Sequence, residues 1–369
     1  MTEAQHSRLA PARHAHILSA LARDGVVRVS ELSETLGVAP VTLRRDLAQL
    51  EEQGLLERVH GGAVTNTSGA DASDSPAPGM LEPPSKGTIA VLVPSLAYYW
   101  PGVVRGMEEE AKRLGLKLLL RGASYELQDE RPVLERLIAT DDVCGFIVAP
   151  NTDTPHAQDV VQWLEDCGRP AVYVERDAFS LPSHEPVESV TTDHGLGAVL
   201  AARHLAELGH HKVGLVLSRD SPTGRKIFAG WDRACQEFDL DPSEHFEEFF
   251  VDRHHPDFSS SVETAIDTAL SVGITGLLIH SDPEAMAFID IALNRGLSIP
   301  EDLSIVAYDD EVARLFTPAL TAVAPPRAAV GAAAVGLVAR RLEDPKRPVH
   351  RVVLSPQLNV RQSTARAPR

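Results

Sequence analysis

Residues 40–63 read PVTLRRDLAQLEEQGLLERVHGGA, and this stretch decides what the N-terminal part of the chain is. At 100° per residue, Leu43, Leu47 and Leu50 fall on one face of a helix. Val41, Thr42, Arg45 and Gln49 point away from that face, with Arg44 on its flank. Pro40 suits the first helical position, and Gly54 ends a helix that runs to Gln53. Working backwards, Gly37-Val38-Ala39 makes a tight turn. Ser30 is a good N-cap for a preceding helix, SELSETLG, with Glu34 in its first turn. Val26 to Val29 alternate like a short strand, and Asp24-Gly25 ends a first helix over 12–23 with Ile17, Leu18, Leu21 and Ala22 on one face. Two helices joined by a tight turn containing Gly describe a helix-turn-helix. Arg, Gln and Thr on the outward face of its second helix are the side-chain types that read a major groove. Working forwards, LLERVHGGAV (55–64) reads as a hairpin that turns near its beginning or ends at Gly61-Gly62. Such a wing brings Arg58 and His60 within reach of backbone phosphates. The candidate DNA-contacting residues are Ser30, Val41, Thr42, Arg44, Arg45, Gln49, Arg58 and His60, and the candidate partner is double-stranded DNA.

Charge alone argues against nucleic acid, because the 369 residues carry a net −17. Its distribution reopens the question. Residues 1–64 hold seven Arg, no Lys and eight Asp or Glu, a net of −1, so the acidity lies in the rest of the chain. Phosphate contacts are local, and clustered cations suffice. The segment TNTSGADASDSPAPGMLEPPS, 65–85, is too poor in large apolar residues to offset the entropy of ordering and reads as a flexible linker. It divides a small unit, 1–64, from a large one, 87–364, with 65–86 between them. No run of eighteen apolar residues exists and the first twenty residues lack an apolar h-region, so a cytoplasmic protein without a membrane partner is expected. Cys144, Cys167 and Cys235 are odd in number and widely spaced, which excludes a disulfide framework and a CxxC metal site; Cys144 and Cys167, in apolar surroundings, are expected to be buried reduced thiols.

From Thr88 onward, apolar runs alternate with amphipathic helical stretches. TIAVLVP, LKLLL, CGFIVAP, PAVYVE, KVGLVL, GLLIH and LSIVAY read as strands of parallel sheets in an α/β fold. They are too many for one small sheet, so two lobes are expected, with a ligand held beyond the carboxyl ends of the strands in an interlobe cleft.

Both units resemble known families. Arg13, Val27-Arg28-Val29-Ser30-Glu31-Leu32, Leu36-Gly37-Val38, Thr42-Leu43-Arg44-Arg45-Asp46-Leu47 and Arg58-Val59-His60-Gly61-Gly62-Ala63 resemble the DeoR-type winged helix-turn-helix. That family usually has Ser where Ala39 stands, and losing the cap costs the recognition helix about 1 kcal/mol. Ile89 to Pro94, His204-Leu205…Leu208-Gly209-His210, Gly230-Trp231, Ser281-Asp282, Ile299 to Ser304, Tyr308-Asp309-Asp310 and Thr317 to Thr321 resemble the LacI-type effector domain, a periplasmic-binding-protein type I fold. The resemblance implies three crossings between lobes, near 190, 322 and 346. The lobes are then 87–190 with 322–345, and 191–321 with 346–364. It also implies a ligand-responsive transcription regulator, a repressor in the first instance, working as a homodimer on palindromic operator DNA.

Residues that follow strand ends are the candidates for the cleft. Tyr98, Tyr99 and Trp100 follow the first strand and offer apolar faces for stacking on a sugar ring or a base. Glu175 and Arg176 follow the fourth strand, and Asp309 the last; carboxylates and Arg suit the bidentate hydrogen bonding of a polyol. The resemblance adds Asp282 and Asp193, the latter equally suited to capping the helix that follows. It also expects an effector-binding Arg four residues before Trp231, where Ile227 stands, leaving Arg225 or Arg219 as substitutes. The effector is expected to be a small molecule, a sugar first, with a nucleoside or purine or a protein partner as alternatives. A solute-binding receptor without a transcriptional role is the reading from another class. No Walker A, nucleophile elbow or HExxH is present, so no cofactor, metal or enzymatic activity is expected. The histidine pairs His14/His16, His210/His211 and His254/His255 read as surface residues, and the small-residue run 330–336 as a helix-packing face.

Overall fold

The computed structural model describes residues 86–368 except 97, 123–129, 141, 152–155, 181, 220, 241–245, 252 and 254. In the N-terminal part it describes 13, 14, 17, 20, 21, 26–29, 32, 33, 38, 42, 43, 45–47, 50, 56–59 and 62–65. The chain divides into two compact units, Met1–Leu81 and Glu82–Arg369.

The first unit holds strands β1 (Val26–Arg28), β2 (Leu56–Val59) and β3 (Gly62–Thr65). They form an antiparallel sheet in the order β1-β3-β2. β2 and β3 pair from Leu56↔Thr65 to Val59↔Gly62, the register of the expected hairpin. Leu43, Leu47 and Leu50 are buried with Ile17, Leu21, Val27, Leu32 and Ala63, the apolar face their spacing demanded. Val29 is already helical, so the second helix starts before Ser30, which lies outside the described residues. The helix-turn-helix turn is closed by the Ser33 hydroxyl donating to the Val38 carbonyl at 2.8 Å and by Val38 N–H donating back at 3.3 Å.

The second unit begins with β4 (Thr88–Val93), α1 (Trp100–Leu114), β5 (Lys117–Gly122), α2 (Arg131–Ile138), β6 (Val143–Val148), α3 (Ala157–Asp166), β7 (Ala171–Val174), the short pair β8 (Phe179–Ser180) and β9 (Glu185–Pro186), and β10 (Ser189–Thr192). There follow α4 (His194–Glu207), β11 (Val213–Ser218), α5 (Gly224–Glu237), β12 (Phe246–Phe250), α6 (Phe258–Val272), β13 (Gly276–Ile279), α7 (Asp282–Asn294), β14 (Ser304–Tyr308), β15 (Thr321–Ala324), α8 (Arg327–Glu343), β16 (Arg351–Leu354) and β17 (Gln357–Asn359). Two six-stranded sheets result, in the orders β16-β10-β7-β6-β4-β5 and β12-β11-β13-β14-β15-β17. All ladders are parallel except β15 with β17. Helices cover both faces of each sheet, which is why the strands read as continuous apolar runs.

The crossings between lobes differ from the expected positions. β10 completes its ladder in the first sheet, β15 belongs to the second through Val306↔Thr321, and β16 returns to the first through Ser189↔Arg351. The chain therefore crosses after 192, after 324 and after 354. A strand's N–H and C=O groups must be paired along their length, so each crossing waits until a strand is complete.

Small residues set the closest helix contact. A Cβ on Gly106 of α1 would lie 2.0 Å from the Ala328 carbonyl oxygen of α8, and one on Gly331 of α8 would lie 2.0 Å from the Val103 carbonyl oxygen. The 330–336 run is thus a packing face. Gly230 of α5 meets Gly195 of α4 in the same way, at 2.2 Å. His210 is buried rather than on the surface, with hydrogen bonds to Thr275 at 2.8 Å and the Ala365 carbonyl at 3.0 Å. Of the three thiols only Cys235 is fully buried; Cys144 and Cys167 are half-buried. No described helix is long and apolar enough to cross a membrane.

Candidate functional site

Both parallel sheets direct the carboxyl ends of their strands toward the crossings, and the residues just past those ends form one buried polar cluster. Glu175, directly after β7, is its centre. The Tyr99 hydroxyl donates to Glu175 Oε1 at 2.7 Å, and the Thr192 hydroxyl and N–H donate to Oε1 and Oε2 at 2.7 and 3.0 Å. His194 Nε2 lies 3.1 Å from Oε2, and its Nδ1 is 3.1 Å from the hydroxyl of Tyr308, the last residue of β14. The first crossing thereby bonds the first lobe to the second. Burial alone would raise the Glu175 carboxyl, but His194 and Thr192 outweigh it and hold it at about 2.

Asp282 and Asp309 face the same region from the second lobe. Asp282 is wholly buried at the start of α7, and its carboxylate accepts backbone N–H groups from Asp310, Glu311, Val312 and Ala313 at 2.7–3.2 Å. It thus fixes the loop after β14, while its own N–H donates to the Tyr98 hydroxyl of the first lobe at 3.3 Å. Burial, helped by the Glu284 charge and opposed by His194 and Arg327, pushes Asp309 up to about 6; burial and the Asp309 charge push Asp282 up to about 7 despite its four N–H donors. Arg327, at the second crossing, donates to the carbonyls of Asp309 and Asp310, pairs with Glu311 at 2.8 Å and lies over the Tyr99 ring at 5.7 Å. Asp310 is held in turn by Arg361 at 2.8 and 2.9 Å and by Asn359 at 2.6 Å.

The backbone here departs from relaxed geometry. Tyr98, Glu175, Asp309 and Asp310 have φ of 56°, 57°, 95° and 50°. Non-glycine residues rarely adopt such values, and they persist only where the surroundings over-determine them, as at ligand sites.

Of the residues singled out in the sequence, Tyr98, Tyr99, Glu175, Asp282 and Asp309 come together. Arg176 lies beside them, buried, donating to the carbonyls of Pro150 and Glu175 at 2.9 Å each. Trp100 is a correction to the stacking triplet: it is 2 % exposed and packs in the first-lobe core, with Arg176 6.0 Å from its ring centre. Asp193 caps α4 by accepting the Leu196 N–H at 2.8 Å. Arg225 is exposed near the start of α5, and its neighbour Lys226 makes the crossing contact, 2.7 Å from Asp177 of the first lobe. Ile227 is fully buried. Thr192, His194, His280, Tyr308 and Arg327 are the cluster members the sequence reading missed. His280 directly follows β13 and Tyr308 ends β14, so their position at strand ends is the signal in the sequence that marks them. Among the described residues no group of three or more His, Cys, Asp or Glu is arranged to hold a metal ion.

In the first unit, Arg45 is exposed and Thr42 half-buried on the helix that carries Leu43 and Leu47. Asp46, between the two faces, is buried and takes both Nε and Nη2 of Arg13 at 2.7 and 2.9 Å. Arg58 falls on β2; Val41, Arg44, Gln49 and His60, like Ser30, lie outside the described residues.

Comparison with known proteins agrees with this architecture. The family model of a DeoR-like helix-turn-helix domain matches residues 13–69, and that of a periplasmic binding protein-like domain matches 202–364. The chain is 24% identical over 341 residues to the arabinose metabolism transcriptional repressor of Geobacillus stearothermophilus, covering 90% of each chain. It is 28% identical over 347 residues to the HTH-type transcriptional regulator MalR of Streptomyces coelicolor, covering 92% of this chain and 97% of that one. Among solved structures, a LacI family transcriptional regulator from Enterococcus faecalis with bound ribose is similar with a TM-score of 0.62 and 25% identity, over 76% of this chain and 100% of that one. The chain therefore joins a DeoR-like helix-turn-helix domain to a periplasmic binding protein-like domain, the composition of a LacI-type transcriptional regulator carrying a DeoR-type head.

Proposed function

We propose that the protein is a cytoplasmic, homodimeric repressor whose N-terminal unit binds operator DNA and whose interlobe cleft binds a sugar that controls it. One observation carries the cleft assignment: Tyr98, Glu175 and Asp309 come from strand ends of both sheets and are held in left-handed backbone conformation around a buried polar cluster. That arrangement offers fixed acceptors and hydroxyls, which suits binding a neutral polyol. The similarity to an arabinose metabolism repressor and to a ribose-bound regulator supports a sugar. The head would contact DNA through Thr42 and Arg45, with Val41, Arg44, Gln49, Arg58 and His60 completing the set and Ser30 at the entry to the helix-turn-helix. Glu175, Arg176, Asp309, Tyr98 and Tyr99 would line the effector site. Asp282 and Asp193 act by shaping loops and Trp100 by packing.

The test is a thermal shift of the whole protein against sugars, nucleosides and purines, followed by DNA affinity with and without whatever binds. A ligand at 100 times its Kd adds about 2.7 kcal/mol of stability. The expected result is stabilisation by a sugar and a sugar-dependent change in affinity for a selected DNA site. Stabilisation by a purine alone replaces the sugar reading, and loss of all DNA binding overturns the regulator reading.

A further inference from the structure

His280 stands directly after β13, at the carboxyl edge of the second sheet. Its N–H donates to the Val216 carbonyl at 2.9 Å and its carbonyl accepts from the Ser218 hydroxyl at 3.0 Å, so its main chain is fixed. The ring lies 5.5 Å from that of Tyr308, and Nε2 is 3.4 Å from Oγ1 of Thr223 at the start of α5. The other ring nitrogen, Nδ1, is buried without a hydrogen-bond partner, although the residue is only 8 % exposed. Its surroundings reach the first lobe on two sides. Thr223 opens the turn that carries Lys226 to Asp177, and Asp282, two residues beyond His280, donates its N–H to Tyr98. His280 thus stands between two points where the lobes touch.

We propose that His280 is a specificity-determining effector contact, its Nδ1 accepting a hydrogen bond from one hydroxyl of the sugar held between the lobes. The proposal rests on the sugar reading above. The contacts are compatible with the acceptor role: Nε2 lies 3.4 Å from Thr223 Oγ1, itself 2.9 Å from Ser221 Oγ, and with Nε2 as the donor of that pair the lone pair is on Nδ1. Burial keeps the imidazole neutral, holding its pKa down at about 4. Ile227, fully buried, brings no polar atom to this wall. A buried acceptor without a partner is unfavourable, so a sugar carrying the matching hydroxyl is selected over one lacking it.

Calorimetric titration of the whole protein with arabinose, ribose, glucose and cellobiose tests this, in wild type, His280→Met and His280→Asn. Asn places an amide oxygen near the position of Nδ1, whereas Met fills the space without an acceptor. The sugar that binds wild type should bind His280→Met at least ten-fold more weakly and His280→Asn within about three-fold. Among its deoxy analogues, one should bind wild type and His280→Met alike. The unliganded His280→Met protein should melt no lower than wild type, because an unpaired buried nitrogen has been replaced by an apolar group. Equal binding of every sugar to wild type and His280→Met overturns this assignment and leaves the sugar reading standing. Weaker binding accompanied by a lower melting temperature also overturns it, showing a packing role. A wild-type protein that binds none of the four sugars overturns the sugar reading and this assignment with it.

Discussion

Glu175 shows how one side chain concentrates the demands of the cleft. Its carboxylate serves Tyr99, Thr192 and His194 while its own backbone sits at φ 57°. Removing it leaves His194 and two hydroxyls buried without their acceptor, so Glu175→Ala should cost about 3 kcal/mol, read by urea unfolding at pH 7. The sign of its pH dependence follows from a carboxyl held at about 2. Its contribution is complete above the ordinary carboxylate range and fades as the pH falls toward 2, so the difference between wild type and Glu175→Ala should shrink between pH 5 and pH 3. Asp309 and Asp282, held up at about 6 and about 7, act in the opposite sense. Their contribution is full below the ordinary range and is lost as the pH rises through those values. A wild-type-minus-variant difference that stayed flat with pH would contradict the assignment of Glu175 as the paired, ionised centre.

On the scale of elements, neighbouring residues of one helix divide between seating it and presenting it. Asp46 pairs with Arg13 at 2.7 and 2.9 Å and fastens the recognition helix to the first helix, while Arg45 is exposed. Asp46→Ala should destabilise the head by about 3 kcal/mol, because the buried Arg13 guanidinium loses its two-pronged carboxylate partner. Arg45→Ala should leave the melting curve unchanged yet weaken DNA binding; for a phosphate contact, the slope of log affinity against log salt falls by about 1. Equal melting of all three proteins would remove the structural role of Asp46. The helix pair α1–α8 makes a second case. Gly331→Ala drives a Cβ to 2.0 Å from the Val103 carbonyl and should cost about 3 kcal/mol. Gly336→Ala, whose nearest neighbour is the flexible Arg340 guanidinium at 3.8 Å, should stabilise by about 0.5–1 kcal/mol. Thermal denaturation of the two variants side by side distinguishes a packing glycine from a merely permissive one.

For the whole molecule, function requires that ligand occupancy in one unit change the DNA affinity of the other. The segment 65–86, rich in Pro, Ser, Gly and Asp, stands where a LacI-type resemblance implies a short hinge helix. In the homodimer proposed above, control can act through the spacing of the two heads, set by how far the lobes close. Lengthening residues 68–84 by about ten Gly/Ser residues should leave sugar affinity unchanged and reduce the fold-change in DNA affinity that the sugar produces, as measured by fluorescence anisotropy. An unaltered fold-change would exclude head spacing as the link.

Most of the architecture was legible because it rests on short-range rules. The 3.6-residue spacing of Leu43, Leu47 and Leu50, the apolar runs of β4, β6 and β11, and the glycines that end helices act within a few residues of themselves, and they were enough to specify the head, the α/β class and the two lobes. Glu175, Asp309 and Tyr98 could be named because strand ends are where such sheets hold ligands. What only the tertiary structure decided depends on residues far apart in the chain. Glu175 meets Tyr99 from 76 residues away, and His194 meets Tyr308 across 114. Trp100 turns into the core while its neighbours Tyr98 and Tyr99 turn to the acids, and Ile227 is buried while Lys226 reaches the other lobe. Adjacent side chains on a turn or a helix point in different directions, and which of them meets the cleft is settled only when the second lobe packs against the first.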